Sequence, residues 1–309
     1  MASADARELS AKRPSSSSSS SRGSAFLCSL RASDAAPRLR GVKVCGVTHP
    51  EDAAWIVETA CARLNLARAA AAMPQIFVGC ILWARSRRVV TAAEACGIAV
   101  AVREAAARAL PRRRREYVRP VAVFVDEPAE HIARTCEQAE MGIAQLHGTS
   151  AWQQRVLQEM RQLYGGRWPE WLEYAAVHKP GDATVRPMRS PTSPPPPPPP
   201  PPLYRLVDPG RGDGRALDWH AHSWPASDEM WMLAGGLHAG NVGEAVRIVR
   251  PPGVDVATGV EWPPSADVAT PARPRKARHR LEAFFDAIRE AYHWDGTEDA
   301  VRASGDTPP

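Results

Sequence analysis

From residue 41 onward, two hydrophobic periods alternate along the chain. Short β-type runs lie at Gly41–Val44, Ile76–Leu82, Val121–Val125, Ile143–Leu146, Ala175–His178, Tyr204–Val207, Met230–Ala234 and Val254–Ala257. Between them, Pro50–Ala60, Thr91–Leu110, Pro128–Ala139, Ser150–Leu163, Gly240–Val249 and Arg278–Tyr292 carry apolar residues at helical spacing. Several of the short runs are solidly apolar, as expected of strands buried on both faces of a parallel sheet. Eight such units with helical crossovers, in about 250 residues, predict an α/β fold of the (βα)8 barrel class. The competing doubly wound open sheet would need a phosphate-binding glycine motif, and no Gly-x-Gly-x-x-Gly follows any predicted strand.

Three stretches break the pattern. No helical period follows the strand ending at His178; instead PGDATVRPMRSPTS leads into nine prolines, Pro194 to Pro202. A polyproline II run of that length spans about 28 Å at roughly 3.1 Å per residue and cannot be an α-helix. It could be a strut in place of the fifth helix, a ligand for an SH3-like partner, or a disordered insertion at about 180–202, which is the expectation here. Residues 1–40 place Pro14 before seven serines, Ser15 to Ser21, with scattered arginines and few acids. That composition predicts a disordered transit peptide addressed to the plastid (chloroplast) stroma, with a mitochondrial address or a cytoplasmic protein with an ordinary tail as alternatives. The expected organisation is therefore this leader, a catalytic barrel over 41–292, and a disordered tail over 293–309.

Charge and cysteine content narrow the function classes. The formal net charge is +5, but residues 1–40 carry seven Lys/Arg against three acids, so only +1 remains for the rest. The one basic cluster there, Arg112 to Arg115, has no interleaved aromatic residues and reads as a solvated loop, so no nucleic-acid partner is expected. The six cysteines show neither a CxxC pair nor metal-ligand spacing, which predicts free thiols, a reducing compartment and no metal. No apolar stretch reaches eighteen residues; the best, Ile76 to Trp83, has strand length, and no membrane association is expected.

The candidate chemistry starts at Cys45, in VKVCGVTHPEDA. His49-Pro50-Glu51-Asp52 reads as a helix start, so Cys45 ends a strand, where α/β proteins place their chemistry. Alone, it reads better as a buried packing cysteine, and only the other strand ends change that. The strand ends taken together read KVCG (43–46), ILWARSRRV (81–89), VFVDEP (123–128), AQLHG (144–148), RLVD (205–208), LAGGL (233–237) and VDVATGVE (254–261). This ordered series resembles the phosphoribosylanthranilate isomerase family of tryptophan biosynthesis. The resemblance spans 41–292 apart from the proline-rich insert and an expanded segment before Ile76.

That resemblance implies an Amadori rearrangement of a phosphoribosylamine to a 1-amino-1-deoxyribulose phosphate, with a small phosphorylated sugar-anthranilate as substrate and no cofactor. It implies Cys45 as general base and Asp208 as general acid. Arg88 matches the arginine that holds the anthranilate carboxylate. Arg87 stands where the family has proline, so either arginine could fill that role. Gly235, Gly236, Thr258 and Gly259 match the phosphate loops after strands seven and eight. Ala257-Thr258 replaces the family's serine pair. Gln145, His147 and Asp255 match residues lining the sugar pocket, with a purely structural role as the other reading. In GRGDGRALDW (210–219), Asp213 stands where the family has a hydroxyl residue, and near the end Ala277 replaces its aspartate after the retained Lys276. Indoleglycerol-phosphate synthase, another phosphosugar barrel, would need a lysine pair and a glutamate that these strand ends lack. The alternative from a different class is a catalytically impaired phosphate-binding barrel serving as a scaffold through its polyproline segment.

Overall fold

In the computed structural model, residues 37–69, 73–179, 200–208, 218–225, 229–263 and 273–294 are described. The strands are β1 (Gly41–Val44), β2 (Gln75–Ile81), β3 (Val118–Phe124), β4 (Ile143–Leu146), β5 (Glu173–His178), β6 (Tyr204–Val207), β7 (Trp231–Leu233) and β8 (Gly253–Val256). The helices are α1 (Pro50–Arg63), α2 (Ala92–Ala109), α3 (Ala129–Gln138), α4 (Ser150–Leu163), α5 (Val242–Val249) and α6 (Arg278–Ala291). All eight strands close into one barrel in sequence order, and every neighbouring pair is parallel.

Local sequence explains where the helices begin. α1 starts with Pro50 in its first turn, followed by Glu51 and Asp52, and His49 accepts a hydrogen bond from Glu51 N. α2 opens on a capping box in which Thr91 and Glu94 satisfy each other's backbone N–H groups.

Alternation along the strands makes two cores. Val42, Val44, Ile76, Val78, Phe124, Leu146, Leu233 and Val254 point out and pack under the helices. Phe77, Val121, Val123, Ile143, Ala175, Val177, Tyr204, Leu206 and Met232 fill the barrel interior, with Cys45 in the same cluster. Each fully buried large apolar side chain contributes about 1.5–3 kcal/mol, so the two cores together carry the fold.

The predicted elements recur with shifted ends: β3 starts at Val118 and β5 at Glu173, both earlier than the apolar pattern alone indicated. The Arg112–Arg115 cluster is solvent-facing, as expected, but forms part of a 3-10 turn, Arg112–Tyr117, rather than an irregular loop. Arg114 donates to Leu66 O, and Arg115 donates to Leu110 O and Ala107 O, so these side chains satisfy carbonyls at the ends of α1 and α2.

The barrel reaches slightly beyond its predicted limits. Leu39 is buried in the outer core, and Trp294 Nε1 donates to Leu64 O at 2.7 Å. Residues 1–36, where a leader was expected, most of the insertion, the loop with Asp213 and residues 295–309 lie outside the described residues. Of the polyproline run, only Pro200–Pro202 are described, and Pro200 O accepts from Tyr174 Oη at 2.9 Å. No helix of the described residues is long and apolar enough to cross a membrane.

Candidate active site

Cys45 sits just past β1, tied to both neighbouring strands. Its own N donates to Val256 O at 2.8 Å, and Val47 N donates to Gly79 O at 2.9 Å. Between them Gly46 adopts a positive φ of 70°, and a Cβ there would run into the Arg88 side chain. A glycine is needed on both counts.

Beneath the thiol lies a lysine. Lys43 is fully buried in the barrel interior and donates to both carboxylate oxygens of Asp255, at 3.1 and 3.2 Å. Its ammonium also interacts with the Cys45 side chain. Burial alone would push Lys43 down, but Asp255 and Cys45 more than reverse this and hold it above its ordinary range, so it is a cation. Gly79 of β2 makes the room: a Cβ there would stand 3.1 Å from Cys45 Sγ and 3.3 Å from Lys43 Nζ.

Across the mouth, Asp208 follows β6, its N donating to His178 O at 2.9 Å, and His147 follows β4, its N donating to Phe124 O at 2.8 Å. His147 Nε2 lies 3.8 Å from Asp208 Oδ2. Burial pushes the His147 imidazole down, against the pull of Asp208. Gln145 and Asp255 are buried inside the barrel, and Gln145 Oε1 accepts from Tyr204 Oη at 3.0 Å.

A second cluster lies on the β1–β2–β8 side. Arg88 is buried, whereas the Arg87 side chain is 58% exposed. Arg88 donates through Nε and Nη2 to the two carboxylate oxygens of Glu261, at 2.6 and 3.0 Å, and through Nη2 to Thr258 Oγ1 at 2.8 Å. Lys276 Nζ donates to Glu261, to Cys45 O and to Ala257 O. Next to it, Gly235 and Gly236 both have positive φ. Gly236 O accepts from Asn241 Nδ2 at 3.0 Å. A Cβ on Gly259 would collide with Leu237 O and His238, so the loops after β7 and β8 pack directly on each other.

The barrel mouth thus brings Cys45, Arg88, His147, Asp208 and Thr258 to strand ends, with Gln145 and Asp255 below them. Sequence reasoning passed over Lys43, Gly79 and Glu261. Each sits in a quoted or neighbouring motif, and the available signal was a charged or missing side chain at an inward position of an otherwise apolar strand end. No group of three or more His, Cys, Asp or Glu among the described residues could hold a metal ion.

Comparison with known proteins decides the family. The family described as "N-(5'phosphoribosyl)anthranilate (PRA) isomerase" matches over residues 203–264. A curated N-(5'-phosphoribosyl)anthranilate isomerase from Chlamydia caviae is 34% identical over 252 residues, covering 81% of this chain and 97% of that protein. The chain belongs to the N-(5'-phosphoribosyl)anthranilate isomerase family. A more distant family member, isomerase 1 of Arabidopsis thaliana, named as chloroplastic, is 25% identical and covers 82% of the chain and 76% of its own length. The isomerase structure from Thermotoga maritima agrees in fold, with a TM-score of 0.51 at 22% identity over 82% of this chain and 98% of that one.

Proposed function

We propose that this protein is a phosphoribosylanthranilate isomerase that converts N-(5-phosphoribosyl)anthranilate to 1-(2-carboxyphenylamino)-1-deoxyribulose 5-phosphate in tryptophan biosynthesis. The observation that carries the reading is one barrel mouth holding a cysteine at the β1 end, an aspartate at the β6 end and a buried arginine beside them, in a chain of this family.

Asp208 gives a proton to the furanose ring oxygen. The C1–O bond breaks as the anilino nitrogen's lone pair forms the iminium. Cys45, as the anion, takes the C2 proton; the C2–H electrons become the C1=C2 bond and the iminium electrons return to nitrogen. The resulting enolamine tautomerises to the ketone. The Lys43 ammonium serves as counter-ion to the anionic sulfur, held in place by Asp255. His147, kept neutral by burial, hydrogen-bonds the sugar beside Asp208. Gln145 and Asp255 act from beneath the sugar site through Tyr204 and Lys43. Arg88, not the exposed Arg87, takes the substrate carboxylate. The phosphate lies on the backbone of Gly235, Gly236 and Gly259 and the hydroxyl of Thr258.

The leader's composition, together with chloroplastic names among the relatives, supports a plastid address. Leu39 is buried in the barrel core, which supports a leader that stops short of it. A reporter fused to residues 1–36 should enter plastids; one left in the cytosol or sent to mitochondria sinks the address. The function itself is tested by incubating the full chain with freshly made phosphoribosylanthranilate and separating the products by chromatography. Conversion to the carboxyphenylamino-deoxyribulose phosphate supports the reading, and only spontaneous breakdown to anthranilate overturns it.

A further inference from the structure

Glu261 follows the 3-10 turn Thr258–Val260 after β8 and is 3% exposed. Its carboxylate accepts from Arg88 Nε at 2.6 Å and Arg88 Nη2 at 3.0 Å, from Lys276 Nζ at 3.1 Å and from Arg87 Nη2 at 3.2 Å. Burial would push Glu261 up, but Arg88 and Lys276 bring it below the ordinary carboxylate range, so it is an anion at neutral pH. Three basic side chains share this one carboxylate, and burial together with the neighbouring Arg88 pushes the Lys276 ammonium down, against the pull of Glu261.

The consequence for Arg88 is geometric. An arginine side chain is otherwise rotationally free, and ordering it for a ligand costs binding free energy. Here the Nε–Nη2 edge is fixed by two bonds to Glu261, Nη2 also donates to Thr258 Oγ1, and the stem lies against Gly46. Among the described residues no group accepts from Nη1. The guanidinium is therefore held in one orientation with one corner left for a second anion.

We infer that Glu261 is a positioning residue: it holds Arg88 by one edge, presents Nη1 to an aryl carboxylate, and thereby sets selectivity for carboxylated over uncarboxylated arylamine ligands. The inference rests on the isomerase reading and deepens it. The Glu261 carboxylate bonds Arg88, Arg87 and Lys276 and none of the side chains assigned to the sugar or the phosphate, so its loss should be felt most by ligands that carry the carboxylate.

The test compares full-length wild type and Glu261→Gln on phosphoribosylanthranilate and on N-(5-phosphoribosyl)aniline, which lacks the carboxylate. On the anthranilate, KM should rise at least tenfold with kcat changed less than threefold; on the aniline, kcat/KM should change less than threefold. Equal losses on both substrates would mean a structural role and overturn the inference. A lower KM for the anthranilate would show Glu261 competing with the ligand, and overturn it too. Glu261→Asp keeps the charge but shortens the reach; if Glu261→Gln fails to fold, the aspartate variant must show the same selectivity change in smaller degree. Calorimetric titration with anthranilate and with inorganic phosphate reads the same effect without turnover: weaker anthranilate binding and phosphate affinity within threefold. Wild type that binds anthranilate in this Glu261-dependent way but does not isomerise the substrate would refute the isomerase reading alone. Wild-type turnover with no selectivity change in the variants would refute the positioning role alone.

Discussion

Replacing Gly79 with alanine puts one methyl group into the space shared by Cys45 and Lys43. The new Cβ would stand 3.1 Å from Cys45 Sγ and from Lys43 Cε, and 3.3 Å from Lys43 Nζ. Ordinary contacts between such atoms lie at about 3.5–4.0 Å, so the sulfur and the ammonium must each withdraw by a few tenths of an ångström. Gly79 does not have a positive φ, so alanine fits the backbone. Overpacking of this kind costs about 1–3 kcal/mol and is partly offset by the lower entropy of the unfolded alanine chain, about 0.4–1 kcal/mol. The fold should survive with a modest fall in Tm. Catalysis should suffer more: a misplacement of about 1 Å can cost 100-fold, so a shift of this size should cost about tenfold in kcat/KM, mostly in kcat. Steady-state kinetics with phosphoribosylanthranilate, beside a thermal melt, measures both. A Gly79→Ala protein with kcat/KM within twofold of wild type would refute the claim that the packing around Cys45 sets the position of the reacting sulfur.

Other perturbations separate stability from chemistry. Lys43→Met strands Asp255 in the barrel interior and should cost about 3–5 kcal/mol, lowering Tm by roughly 6–20 °C; the Lys43→Met/Asp255→Leu pair should recover most of that stability but not the activity. A single variant that melts like wild type would show that the pair carries no structural weight. The depressed His147 value makes a pH prediction. In the unfolded chain this group titrates near pH 6.5, so its contribution to stability is full above about pH 6.5 and is lost as pH falls toward the lower folded value. Chemical denaturation from pH 7.5 to 5 should show that loss, and His147→Gln should flatten it; an unchanged slope would remove His147 from the account.

Much of the barrel was legible because its outward positions are apolar and its crossovers carry helical periodicity. β1 shows why the interior was harder. In Val42-Lys43-Val44-Cys45 the alternation is plain, and the usual reading sends the polar set to water. In a closed barrel the valines face the helices, and Lys43 and Cys45 face the axis. The lysine is hidden by the same pattern that reveals the strand. Glu261 was illegible for another reason: its partners, Arg88 and Lys276, are 173 and 15 residues away, and only closure of β8 onto β1 gathers them. The Arg112–Arg115 cluster was read rightly as solvent-facing, but local sequence gives no hint that the carbonyls of Leu66, Ala107 and Leu110 lie within reach of Arg114 and Arg115.

The central claim is that Cys45 and Asp208 act as base and acid across one barrel mouth. The most direct measurement is kcat/KM on phosphoribosylanthranilate for Cys45→Ser and Asp208→Asn, with binding of a non-reacting reduced product analogue determined for the same proteins. A serine hydroxyl does not form an anion near neutral pH, and an amide has no proton to give the ring oxygen, so each variant should lose at least 1,000-fold, about 4 kcal/mol, while binding the analogue within a few-fold of wild type. Either variant retaining more than about a tenth of wild-type kcat/KM, a loss below about 1.4 kcal/mol, would contradict its assigned role.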